Sequence, residues 1–175
     1  AGISGLSGVR ARNQRIIRPL LAFTKAELEA ICANAGITPC RDPSNSNADF
    51  DRVRMRQWLD RTDLPFEPLA AVRSASALAE AGDALEWAAH RLFDERVTFG
   101  GENRTQIDPD GIPPELQRRL LLLAIARIDD SLAPRGALID RALSTLRDGG
   151  KIMVGNIICI GGRYWQLSPA PPRKT

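Results

Sequence analysis

Three arginines alternate with other residues over a five-residue stretch: Arg52, Arg54 and Arg56. On a helix, which turns about 100° per residue, Arg52 and Arg56 form an i, i+4 pair on one side and Arg54 stands apart. Guanidinium groups carry planar paired donors and keep their charge, so this spacing suits phosphate or carboxylate. The local pattern leaves an ordinary solvated basic face open as the alternative.

The loop before these arginines is rich in residues that form turns. Pro43 favours an extended conformation at Asp42. Short polar side chains that can bond the local backbone follow it: Ser44, Asn45, Asn47 and Asp49. We therefore expect a fixed loop, shaped by Asp42 and Asn45, that leads into a helix from about Phe50 and presents the arginines.

The segments around this loop predict the end of an α/β domain. Arg15 to Leu21 is a short apolar run ended by Pro19, typical of a strand at the end of an α/β sheet. Thr24 to Glu27 forms a capping box and Gly36 is a stop, which predicts a helix over about residues 25–35. Its expected buried stripe comprises Leu28, Ile31, Cys32 and Ala35.

The remaining sequence favours a second, mostly helical domain. Its composition shifts near residues 61–66, where we place a domain boundary. Helical spacing predicts a long helix from Pro68 to about Val97 and two shorter ones opened by Pro113-Pro114 and Pro134. A hairpin is expected at residues 97–107 and a three-stranded meander at residues 151–167, followed by a loose tail. The fold class is α+β, mostly helical.

The first residues are rich in glycine and serine, with Gly2, Gly5 and Gly8 beside Ser4 and Ser7. Their spacing fits neither the dinucleotide fingerprint G-x-G-x-x-G nor the nucleophile elbow G-x-S-x-G. This composition by itself predicts a flexible backbone, not a packed element.

Composition and charge narrow the classes of partner. The three cysteines are an odd number without metal-ligand spacing, which indicates reduced thiols in a cytoplasmic protein and no zinc site. The single histidine, His90, has no second type of metal ligand nearby, and no apolar run approaches the length of a membrane span.

The charge is divided unevenly along the chain. Residues 1–62 carry 10 basic and 6 acidic side chains, residues 63–115 carry 4 basic and 11 acidic ones, and residues 116–175 carry 10 basic and 4 acidic ones. A polyanion would therefore meet the first and last thirds.

Four motifs in order resemble those of the tRNA(Ile)-lysidine synthetase family, a branch of the ATP-pyrophosphatase superfamily. The stretch from Asp42 to Arg56 resembles its D-P-S-N-x-D-x-x-[YF]-x-R-x-R-x-R signature, with Asn47 in place of the usual aspartate and Val53 where many members have asparagine. The other three are the glycine-rich loop at residues 2–8, the R-P-L-L strand at residues 18–21 and the W-x-x-x-P-A-P motif at residues 165–171.

The resemblance implies an ATP-dependent C–N ligase acting on RNA. Such enzymes use ATP with Mg²⁺ to adenylate O2 of the wobble cytidine in an isoleucine tRNA with a CAU anticodon, and the ε-amine of free lysine then attacks C2 and displaces AMP. Residues 1–62 would be the C-terminal part of the ATP-pyrophosphatase-type domain and residues 63–175 a helical tRNA-binding domain. The family's S-G-G-x-D-S pyrophosphate loop is absent from these 175 residues. The resemblance therefore implies a fragment without catalytic residues of its own, inactive and without bound ATP when alone.

Site residues follow from the same resemblance. Arg52, Arg54, Arg56, Asp42 and Asn45 are expected to serve tRNA binding. A second group would form a loop near the active site: Gly5, Ser7 and Gly8. The oligomeric state stays open, a homodimer included.

Three other functions are compatible with the sequence. A tRNA-binding module without chemistry fits the missing pyrophosphate loop, and a helical protein-interaction domain fits the acidic middle segment. A tRNA thiolase of the same superfamily normally carries catalytic cysteines, and the three cysteines here show no matching arrangement.

Overall fold

The fold is α+β, as the sequence predicts. A computed structural model describes residues 2–13, 16–40, 42–59, 67–101 and 104–171. They form two compact units, residues 1–82 and residues 83–175. The boundary predicted near residues 61–66 lies largely outside the described residues.

Unit 1 consists of short elements. In chain order they are α1 (Ile3–Leu6), β1 (Arg12–Asn13), β2 (Ile16–Ile17), a 3-10 helix (Pro19–Ala22), α2 (Lys25–Asn34), a second 3-10 helix (Pro43–Ser46) and α3 (Asp51–Leu59). Helix α4 (Pro68–Arg96) begins in this unit, and its bounds agree with the predicted long helix. The predicted strand is shorter than expected and pairs with β1 in an antiparallel hairpin. Pro19 ends it by starting the first 3-10 helix, where a residue without an N–H group is tolerated.

The glycine-rich first residues are ordered, so the prediction of a flexible segment is wrong. They form α1, and Ser7 at its end is buried. The reason is packing against α4, where Arg10 donates a hydrogen bond to the carbonyl of Ala79 at 3.4 Å. A methyl group added at Gly82 would lie 3.4 Å from side-chain atoms of both Ile3 and Arg10, which shows how closely the first residues approach this part of α4.

Helix α2 has the predicted start but not the predicted burial. Thr24 and Glu27 form the capping box: Glu27 N–H donates to Thr24 Oγ1 at 3.2 Å, and Thr24 N–H donates to the Glu27 carboxylate at 2.6 Å. This backbone bond lowers the pKa of Glu27. The buried stripe is a wrong prediction, since no α2 residue is buried and Ile31 is 52% exposed. The apolar spacing is there, but no described element covers it.

Unit 2 is built on a five-stranded antiparallel sheet. Its strands are β3 (Val97–Gly100), β4 (Arg104–Ile107), β5 (Lys151–Val154), β6 (Ile157–Ile160) and β7 (Trp165–Pro169), in the order β3-β4-β7-β6-β5. The predicted hairpin and meander are confirmed, and they join because β4 pairs with β7 through Thr105 and Leu167. The predicted loose tail is wrong at its start, because Pro169 pairs with Ile157 and Ala170 N–H donates to Asn156 O.

One face of this sheet and two helices enclose the core. Helix α5 spans Pro114–Ile128 and helix α6 spans Gly136–Arg147. The predicted inward positions of α6 are all buried: Ile139, Ala142, Leu143 and Leu146. From the strands, Trp165 and Leu167 are each 1% exposed. Fully burying one such large apolar side chain contributes about 1.5–3 kcal/mol, so this cluster stabilises unit 2.

Candidate anion-binding site

The loop that begins at Asp42 is held by local hydrogen bonds. Asp42 has the extended conformation that Pro43 favours, with φ −74° and ψ 120°. Its carboxylate accepts a hydrogen bond from Ser44 N–H at 2.8 Å, and its carbonyl accepts one from Asn45 N–H at 3.1 Å. The bond from Ser44 N–H lowers the pKa of Asp42. Asp42 therefore caps the second 3-10 helix as a carboxylate.

Asn47 connects that cap to helix α3. Its side-chain oxygen accepts from Asp49 N–H at 2.9 Å, and its carbonyl accepts from Phe50 N–H at 3.3 Å. The predicted local bonding of this polar side chain is confirmed. Asparagine offers the carbonyl oxygen that this turn uses, so the departure from the usual aspartate leaves the turn intact.

Arg54 fastens the loop to the first turn of α3. Its guanidinium donates to the carbonyls of Ala48 at 3.1 Å and Asp49 at 3.2 Å, and it forms an ion pair with Asp51. These bonds use both terminal nitrogens of Arg54. The sequence grouped Arg54 with the other two arginines, but the structure gives it a bracing position within the protein.

Arg52 and Arg56 instead face a small recess. Its volume is about 160 Å³, and it is lined by Ser44, Asn45, Phe50 and Val53 together with the two arginines. Both arginines are exposed, and none of the residues in the described ranges forms a hydrogen bond or ion pair with their side chains. Because the recess lining contains no carboxylate, the site suits an anion.

Three of these lining residues were not assigned a site role from the sequence. Ser44 lies near the start of the polar loop and Phe50 at its end. The third residue, Val53, is only 6% exposed. Val53 is the one large apolar side chain in the described part of unit 1 that is buried. The signal for it was the i, i+3 spacing from Phe50, which marks the inner side of α3.

A larger hollow of about 870 Å³ is also lined in part by this loop, through Asp42 and Asn45. Cys32 and Cys40 line it as well. Asn45 thus borders both concave surfaces. The structure places Asn45 beside Arg52 and Arg56 at the recess and beside Asp42 at the larger hollow.

The glycine-rich residues lie elsewhere in unit 1. Gly5 is inside α1, where its N–H donates to Gly2 O at 3.0 Å, and Ser7 is buried. Gly8 has φ +68°, a backbone conformation that residues other than glycine rarely adopt. Gly5, Ser7 and Gly8 are not among the residues that line the recess.

The basic excess of the last third is partly neutralised inside unit 2. Arg119 bonds to Glu115 at 3.1 Å and also pairs with Glu86, and Arg118 pairs with Asp140. Carboxylates of the same unit therefore pair with Arg118 and Arg119, two of the basic side chains that we expected to be available to a polyanion. His90 lies 3.5 Å from Glu86 on the same exposed helix surface, a structural position.

The cysteines and the acidic groups do not form a metal site in the described part of the chain. Within those residues, no three side chains of the metal-binding types come together, and the three cysteines are free. Burial raises the pKa of Cys159 to about 11, so this thiol is unreactive at neutral pH. No helix in the described ranges is long and apolar enough to cross a membrane.

Comparison with known proteins shows which family of proteins this chain is similar to. Residues 1–62 match the PP-loop domain. The chain is 32% identical to the tRNA(Ile)-lysidine synthase of Zymomonas mobilis subsp. mobilis over 99% of its own length, and 36% identical to that of Novosphingobium aromaticivorans over 100%. It covers 55% of each of these relatives. The same enzyme of Ruegeria pomeroyi is 29% identical, with 92% of this chain and 40% of the relative covered.

These matches define the class: residues 1–62 are similar to a PP-loop domain, and a compact α+β unit follows at residues 83–175. The similarity extends through both units. The chain belongs to the tRNA(Ile)-lysidine synthase family, and it spans about half the length of the curated relatives that it matches.

Proposed function

We propose that the whole protein is an ATP-dependent ligase that joins free lysine to C2 of the wobble cytidine in an isoleucine tRNA with a CAU anticodon, through an adenylated intermediate. The observation that carries this proposal is the 32–36% identity to tRNA(Ile)-lysidine synthases over 99–100% of the chain. A cytoplasmic location belongs to the same proposal, because tRNA, ATP and free lysine meet there.

The residues of this chain do not fit ATP by themselves. The S-G-G-x-D-S loop that would hold the triphosphate does not occur in the sequence. We therefore assign no catalytic step, and no Mg²⁺ contact, to any residue described above.

The domain assignment is part of the proposal: residues 1–62 belong to an ATP-pyrophosphatase-type domain and residues 63–175 to a tRNA-binding domain. The match of residues 1–62 to the PP-loop domain supports the first half. Exposed apolar side chains in that segment support it too, because such surface normally packs against further protein. They include Ile16, Ile17, Leu20, Leu21, Phe23 and Ile31.

Within this function, Arg52 and Arg56 contact the tRNA backbone, whereas Arg54, Asp42 and Asn45 position the loop. Two observations support this division of roles. The guanidinium groups of Arg52 and Arg56 have no partner within the described ranges and border the recess, whereas those ranges supply internal bonds to Arg54. Gly5, Ser7 and Gly8 stay a prediction for a loop near the active site.

The test is a binding titration of this chain with isoleucine tRNA carrying the CAU anticodon and with methionine tRNA, at two salt concentrations. We expect tighter binding of the isoleucine tRNA and an affinity that falls steeply with salt, because phosphate contacts release counterions. Equal, salt-insensitive binding of both tRNAs would contradict a role in tRNA recognition.

A tRNA-binding module without chemistry is the second candidate, because the two arginines at the recess have no partner within the described ranges and can bind an anion without a catalytic group. Incubation of the whole protein that contains this chain with tRNA, ATP and labelled lysine distinguishes the two. Lysine incorporation shows the ligase, whereas salt-sensitive tRNA binding without ATP consumption shows the module.

A further inference from the structure

We propose that the recess beside α3 binds a single phosphoryl group, with Arg52 and Arg56 as its cationic donors. This inference rests on the proposed function, since it names the chemical group that the arginine pair contacts. The ligand chemistry is a tetrahedral phosphate oxyanion. A phosphodiester of the RNA backbone and a free phosphate are its two possible sources.

The size of the recess sets the size of the ligand. The recess has a volume of about 160 Å³, below the range of about 300–1,000 Å³ usual for a whole small-molecule ligand. This volume suits a single phosphoryl group better than a whole nucleotide. The two arginines therefore contact the phosphate, which carries no base identity.

The lining of the recess carries the positive charges of Arg52 and Arg56 and no carboxylate. Asp51, in the first turn of α3, pairs with Arg54, and the carboxylates of Asp42 and Asp49 are not among the lining groups. Arg52 and Arg56 remain one turn apart, where like charges repel each other by a few tenths of a kcal/mol. An anion between them removes this repulsion and gains two charge-assisted hydrogen bonds.

The remaining lining residues complement the two cations. The Ser44 hydroxyl and the Asn45 side-chain amide can donate hydrogen bonds to oxyanion oxygens. Phe50, which is 50% exposed, and the buried Val53 complete the lining. The convergence of two cations and two polar donors on one recess distinguishes it from a basic face without a concave surface.

The experiment is an NMR titration of the ¹⁵N-labelled chain with inorganic phosphate, against chloride at matched ionic strength. We expect phosphate to produce saturable shifts of the Nε–Hε signals of Arg52 and Arg56 that chloride does not produce. Arg52→Gln and Arg56→Gln should each weaken phosphate binding about tenfold, in keeping with the loss of one hydrogen bond to a charged group. The matched control is Arg12→Gln, which removes an exposed arginine in β1 and should change phosphate affinity less than about twofold.

A second arm uses isoleucine tRNA and separates the two phosphate sources. If the RNA backbone occupies the recess, Arg52→Gln lowers the salt slope of tRNA binding by about 0.7–0.9, the range for one phosphate that the protein no longer neutralises, and tRNA suppresses the phosphate-induced shifts. If free phosphate is the source, the shifts persist with tRNA bound, and the salt slope stays that of the wild-type chain. Either result supports phosphate recognition at this recess.

The outcomes also separate this inference from the proposed function. Phosphate shifts no larger than those with chloride overturn the inference, even if the chain discriminates between the two tRNAs and the proposed function stands. Saturable phosphate binding that needs both arginines, without any preference between tRNAs, supports the recess and contradicts the proposed function. Because the wild-type titration needs no substitution, a variant that fails to fold cannot obscure the result.

Discussion

Replacing Arg54 with glutamine tests whether this side chain braces the loop or contacts a ligand. Arg54 donates to the carbonyls of Ala48 and Asp49 and pairs with Asp51. Its side chain is 56% exposed, so solvent screening reduces each contact from the roughly 1.5–3 kcal/mol of a shielded charged hydrogen bond. We expect Arg54→Gln to destabilise the closed loop by about 1–2 kcal/mol in total.

The assay is amide hydrogen exchange in the loop, followed by NMR. A destabilisation of about 1–2 kcal/mol raises the open population about 5–30-fold, and exchange at the bonded N–H groups of Asp49 and Phe50 should accelerate by the same factor. Arg52→Gln is the matched control, because it removes the same charge from the same helix without breaking a loop bond. For tRNA, we expect Arg54→Gln to lower affinity while leaving the salt slope near that of the wild type.

Two results would refute this reasoning. Unchanged exchange at Asp49 and Phe50 in Arg54→Gln would show that the three contacts do not hold the loop. A salt slope that falls as much as in Arg52→Gln would show that Arg54 meets phosphate directly.

Three further predictions concern the fold and its titrating groups. A methyl group at Gly161 would clash with the carbonyl oxygen of Leu146, so Gly161→Ala should destabilise unit 2 by about 1–3 kcal/mol and lower its Tm by about 5–20 °C. The control is Gly136→Ala, which has open space around the added methyl group and should not lower the Tm. Equal Tm values for the two variants in a thermal scan would contradict this prediction. With a pKa of about 11, the Cys159 thiol is ionised in only about one molecule in a thousand at pH 8. Iodoacetamide should therefore label the exposed Cys40 in the native chain, and Cys159 only after unfolding. Mass spectrometry of the labelled peptides checks this prediction. Because the pKa of Asp42 is lowered in the folded chain, its carboxylate stabilises the loop fully above about pH 3.8, the ordinary pKa of an aspartate, and this stabilisation is lost as the pH falls through the lowered pKa. An NMR titration of the Asp42 carboxyl group with a midpoint at or above 3.8 would show that the cap does not form.

Local signals in the sequence predicted much of the candidate site. The extended Asp42 follows from Pro43, and the Asn47 turn follows from a short polar side chain within reach of its own backbone. The i, i+4 spacing also predicted that Arg52 and Arg56 share a side of α3 while Arg54 stands apart. The sequence did not indicate that Arg54 would be occupied, because two of its three partners are backbone carbonyls, which every residue carries.

Periodicity predicted the helices of unit 2 but not every buried surface. It identified the inward residues of α6 correctly, since α5 and the sheet cover that stripe. The same kind of stripe on α2 stays exposed in the described structure. An apolar period shows which side of a helix prefers to be covered, and burial needs a second element that periodicity does not supply.

The sequence by itself determined the chain's family, its α+β class, the helix caps and the arginine spacing, because these depend on residue types and on contacts a few positions apart. Only the tertiary structure decided that the hairpin and the meander form one sheet, that α4 orders the glycine-rich segment, and that Arg118 and Arg119 are neutralised. Those outcomes depend on residues far apart along the chain. Their pairing is fixed by the free energy of the whole packed unit, which no local pattern contains.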